Sequence, residues 1–109
     1  MGYSIAAMEA MSLNAERLDL EYKVQLISDA KMNLSRTISD LLQVGTDLEP
    51  DSPVVKKLEQ RKERLHLLEK KLDMQMEQYK QRLRAIDVAY QSCEQMMQKN
   101  VQKAFGFSS

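Results

Sequence analysis

His66 and Cys93 are the side chains of this sequence best suited to chemistry, the first as a general base or metal ligand, the second as a redox thiol. Neither has the company that such chemistry needs. His66, the one histidine, follows Leu65 and sits among Arg61, Lys62 and Arg64, with no metal-like carboxylate cluster one turn away on its face; it reads as solvated. Cys93 falls on a sevenfold apolar stripe and reads as a small buried apolar residue. As the sole cysteine it excludes an internal disulfide and any multi-cysteine metal site. Gly-rich phosphate loops, serine-nucleophile motifs and metal-ligand spacings are all missing. The expectation is a protein that is not an enzyme, with no catalytic, cofactor-binding or metal-binding residues, no cofactor and no small-molecule substrate.

Charge offers a second kind of chemistry. Lys56 to Arg84 holds ten basic and five acidic residues, a bias that suits nucleic acid or an anionic membrane. Glu59/Lys62 and Glu77/Lys80 stand at helical i,i+3 spacing, however, so much of that charge is matched internally. A solvated coiled-coil flank is the better reading, with neither nucleic acid nor membrane insertion expected.

The elements that position these residues are two long helices and one turn. Gly45-Thr46-Asp47-Leu48-Glu49-Pro50-Asp51-Ser52-Pro53 holds both prolines and the one glycine between the two ends of the chain. Gly45 suits a left-handed cap, which would end helix 1 near Val44, and Pro50 cannot continue a helix. Ser52 is a good N-cap, and Pro53 fits the first helical position. The spacing therefore predicts helix 1 over about 5–44, a turn at about 45–52, helix 2 over about 53–104 and a tail at 105–109.

Leu13, Leu20, Ile27, Leu34 and Leu41 recur every seven residues, widened by Val24, Ala30, Ile38 and Val44. Helix 2 repeats the device with Leu58, Leu65, Leu72, Tyr79, Ile86 and Cys93, supported by Leu68, Met76, Leu83, Tyr90 and Met97. The steps from Leu68 to Leu72 to Met76 predict a local stutter. The two series mirror each other across the turn, pairing 41 with 58, 34 with 65, 27 with 72, 20 with 79 and 13 with 86. The fold class is thus all-α, one domain forming an antiparallel two-helix hairpin with a coiled-coil seam.

One seam does not use all the apolar residues. Met11, Ala15, Leu18 and Tyr22 step along the far side of helix 1, and Leu67, Met74 and Val88 lie off the seam of helix 2. A contiguous second stripe on a long helix is suited to meet another helix. Met8, Met11, Met96 and Met97 are expected to gather with Phe105 and Phe107 at the open end, where flexible thioethers beside aromatics make an adaptable interface. These eleven side chains (Met8, Met11, Leu18, Tyr22, Leu67, Met74, Val88, Met96, Met97, Phe105, Phe107) are the candidate assembly or partner contacts.

With 109 residues, six aromatic side chains and no tryptophan, the chain is poor in the groups that fill a globular core. Formal charge is zero, yet residues 1–50 carry four basic and eight acidic side chains and residues 51–109 twelve and eight. Arms of opposite sign favour lying against each other, or against the opposite arm of a second copy. The first residues lack a basic segment followed by an apolar run, and no stretch approaches the roughly 18 to 20 apolar residues that cross a bilayer. A protein soluble when made is expected; any export would use a route without a cleaved signal.

The turn Pro50-Asp51-Ser52-Pro53 and the apolar stretch Val101-Gln102-Lys103-Ala104-Phe105 resemble the needle subunits of type III secretion systems. Those are small helical hairpins with a Pro-x-x-Pro turn and a short apolar C-terminal tail. The resemblance covers these two stretches, in a chain with longer arms that continues into Gly106-Phe107-Ser108-Ser109. It implies export without a cleaved signal and polymerisation into a helical tube. Tyr90 and Glu94 are similar to the C-terminal Tyr-x-x-x-Asp/Glu signal of the WXG-type secreted hairpins, although Gln43 and Val44 precede Gly45 where that family has its Trp-x-Gly turn. The leading expectation is a self-assembling, secretion-associated filament subunit whose partner is itself. The alternative is a cytoplasmic coiled-coil chaperone or adaptor for another helical protein.

Overall fold

A computed structural model describes residues 2–108, with side chains as far as Lys103. The chain forms two α-helices, α1 (Gly2–Thr46) and α2 (Pro53–Ser108), joined by the turn at 47–52 into an antiparallel hairpin. Helix α2 starts where Ser52 and Pro53 predict. The Val55 amide donates to Ser52 Oγ at 3.2 Å and the Lys56 amide to the Ser52 carbonyl at 3.3 Å, so the cap satisfies donors that the helix leaves open.

The other end of the turn differs from expectation. Gly45 takes no positive φ, and α1 continues through it to Thr46. Thr46 Oγ1 donates to the Gln43 carbonyl at 2.7 Å, and the Leu48 amide donates to the Gly45 carbonyl at 3.4 Å. These bonds occupy C-terminal carbonyls of α1 without a left-handed residue, and the chain reverses after Thr46 rather than at Gly45. Helix α1 also begins three residues before the expected start, and α2 runs to Ser108, four beyond the expected end.

The hairpin divides into two units, one formed by residues up to Lys23 and from Tyr79 onward, the other by Val24–Gln78. In the first, Ala6, Ala10, Leu20, Ile86 and Cys93 are buried, with Ile86 only 1% exposed. The Asn100 side chain lies over Gly2, where an added Cβ would come within 2.7 Å of its Nδ2. The second unit buries Ile27, Leu34 and Ile38.

The protected positions alternate by three and four along both helices. On α1 this series is 6, 10, 13, 17, 20 and 24, then 27, 31, 34, 38, 41 and 45, with 7, 14, 16 and 28 half-buried beside it; on α2 it includes 58, 62, 65, 69, 72 and 76. Arg17 and Lys31 therefore lie in the seam, whereas Ala30 and Val44, expected there, are exposed. Likewise Glu69 is half-buried and Leu68 is exposed, so the stutter expected after Leu68 is not formed. Long aliphatic stems explain the exchange: Arg and Lys can lie along a seam while their charged heads reach its edge.

The register also differs. In the first unit Glu9 meets Cys93 and Arg17 meets Asp87; in the second Lys31 meets Asp73. The mirrored pairing would have put 90, 82 and 68 at those places. These partners lie three to five residues further along α2, about one turn or ~6 Å; the long Arg82 side chain, bonded to Glu16, instead reaches back to within one residue of the mirrored place. Reversing a chain turns a three-four alternation into four-three, so each column of one helix must face the opposite column of the other. Matching the two sevenfold series directly pairs like columns, which is the source of the error.

Candidate interaction surfaces

Arg17 organises the polar edge of the seam in the unit that holds the chain ends. Its Nη1 lies 3.6 Å from Asp87 Oδ1, its guanidinium carbon lies 5.1 Å from the centre of the Tyr90 ring, and its Nη2 donates to Asn14 Oδ1. One side chain thus joins three partners from two helices. Arg82 Nε donates to Glu16 Oε1 at 2.7 Å, with Nη2 also bridging that oxygen. In the other unit Lys31 pairs with Asp73. These half-exposed pairs contribute little stability each. Their value lies in fixing which layers meet, because a slipped register would separate them.

Cys93 is buried, with Sγ 3.7 Å from Glu9 Oε2. Burial, followed by the hydrogen bond and negative charge of Glu9, pushes its thiol pKa up. A thiol held protonated is a poor nucleophile, in keeping with its reading as a packing residue. His66 is exposed on α2. Among the described residues no group of three or more His, Cys, Asp or Glu is placed to hold a metal ion, and no helix is long and apolar enough to cross a membrane.

The candidate contact residues fall into three groups. Met8, Met11, Leu18 and Tyr22 are exposed on α1, with Met8 and Met11 at 70% and 73%. Leu67, Met74, Val88 and Met96 are exposed on α2. Met97 is half-buried in the seam, and the side chains of Phe105 and Phe107 lie outside the described residues.

The methionines expected to gather at the chain ends do not share either of two grooves there. Met96 borders a groove with Glu9, Leu13, Ala89 and Cys93, and Met97 lines a second with Tyr3, Glu94, Gln98, Val101 and Gln102. Met8 and Met11 line neither. Tyr3 and Val101 are exposed apolar side chains that the sequence reading did not single out as contacts. Their signal was present in the seam spacing, which places Tyr3 on the column of Ala10 and Arg17.

Fold and surfaces together define an all-α helical hairpin with a coiled-coil seam. Compared with protein families, with curated proteins and with solved structures, the chain matches none.

Proposed function

We propose that this chain is a structural, non-catalytic hairpin that self-assembles, serving as the subunit of a secretion-associated filament or needle-like structure. The observation that carries the reading is the imbalance of its apolar side chains. Among the described residues seventeen large ones are exposed, while eight apolar residues form the core. Exposed apolar area of this extent is stabilised by contact with a further helix.

The secretion role draws on the Pro50-x-x-Pro53 turn and the apolar stretch from Val101, the motifs shared with needle subunits. Light scattering of the purified chain across a range of concentrations tests the reading. A particle mass that climbs with concentration is expected. A stable monomer or dimer would overturn self-assembly and favour the chaperone or adaptor for a helical partner.

A further inference from the structure

Each helix carries, away from the seam, exposed apolar side chains. On α1, Met8, Met11, Ala15, Leu18 and Tyr22 are all exposed and alternate by three and four, the spacing of a second seam. This stripe lies nearly opposite the first. On α2, Leu67 and Met74 are exposed two turns apart, with Lys70 and Lys71 on the same face between them.

The two faces carry opposite charge. Asp19 and Glu21 flank the α1 stripe; Asp19 is bridged by Lys23 at 2.8 Å, whereas Glu21 joins no ion pair among the described residues. Around Leu67 and Met74, Arg64, Lys70 and Lys71 outnumber Glu63 and Glu77, and neither lysine is ion-paired among the described residues.

We propose that the α1 stripe of one copy docks on the Leu67/Met74 face of a second copy. The inference rests on the self-assembly reading and specifies its contact. Pairing the α2 face with itself, Leu67 on Met74, would set Lys70 against Lys71, and pairing the α1 face with itself would offer Glu21 only Lys23, already bridged to Asp19. Pairing one with the other in antiparallel sense, Met11 on Met74 and Leu18 on Leu67, matches two equal two-turn intervals and sets Glu21 against Arg64, neither of which is ion-paired among the described residues. Such a contact is heterologous: a copy that uses one face keeps the other free, so association continues beyond two chains.

Leu18→Arg and Met74→Glu each block one face with a charge that repels its partner, at exposed positions outside the seam. Circular dichroism checks that both full-length variants keep the helicity and melting temperature of the parent. In sedimentation equilibrium each variant alone is expected to remain monomeric where the parent assembles. Their equimolar mixture is expected to give a two-chain species and nothing larger, because one intact face of each kind remains. A mixture that stays monomeric, or a variant that assembles as the parent does, would overturn the pairing while leaving self-assembly standing. A parent chain that is monomeric throughout would overturn both.

Discussion

The guanidinium of Arg17 stands over the Tyr90 ring, 5.1 Å from its centre, while its Nη1 is 3.6 Å from Asp87. An arginine thus occupies a seam position, its stem packed between helices and its head shared by two groups of α2. Arg17→Ala removes stem and head together and is expected to lower stability by about 1–2 kcal/mol. A double-mutant cycle with Tyr90→Leu should return a coupling of about 0.5–1 kcal/mol for the cation over the ring. Urea unfolding of the four proteins measures both; additive losses would show that the ring and the cation do not interact.

The register is tested by the pair Lys31 and Asp73, which meet in the unit that holds the turn. In a Cys93→Ala background, Lys31→Cys with Asp73→Cys is expected to cross-link within one chain through a short bis-maleimide. Lys31→Cys with Leu68→Cys, the pair that mirrored matching would set opposite each other, should react markedly more slowly. Faster linkage of the second pair would restore the mirrored register.

Gly45 is helical, has no positive φ, and has nothing within 4 Å of the place a Cβ would take. Gly45→Ala should therefore stabilise the hairpin by about 0.5–1 kcal/mol, since alanine loses less backbone entropy on folding. A glycine in the left-handed cap conformation would give the opposite sign. Thermal denaturation of dilute protein separates the two, and a lower midpoint for the alanine variant would contradict the helical ending seen here.

Cys93 titrates in a direction that makes a pH prediction. Its pKa is raised in the folded state, mainly by burial, so the folded chain holds this proton more tightly than the unfolded chain does. The associated stability is complete below the unfolded thiol value of about 8.5 and is lost as pH rises through the folded value. Lys23, raised by its hydrogen bond to Asp19, loses its contribution in the same direction but starts from the higher lysine range. Between about pH 8.5 and 10, the parent should therefore lose stability more steeply than Cys93→Ala. Equal slopes from denaturant midpoints measured across that range would show that the thiol is not desolvated on folding.

How much of this was legible in the sequence differs from element to element. The turn and the start of α2 were, because Ser52 and Pro53 act locally: a hydroxyl that reaches a nearby amide and a ring that fixes φ need no distant partner. The sevenfold columns were too, and Leu20, Ile27, Leu34, Ile86 and Cys93 are buried as their spacing predicts. Exposure of Met8, Met11, Leu18 and Tyr22 followed from their place off that seam.

Tertiary structure alone decided which of two neighbouring residues enters the seam. Leu68 is more apolar than Glu69, and Ala30 than Lys31, so composition favoured the wrong member of each pair. Packing selects by position on the helix, and a long charged side chain can occupy a seam position when its head finds a partner across it, as Lys31 finds Asp73. Gly45 shows the same limit. Its type permits a left-handed cap, but the hydrogen bonds of Thr46 and Leu48 keep it in the helix, and those depend on where the chain goes next.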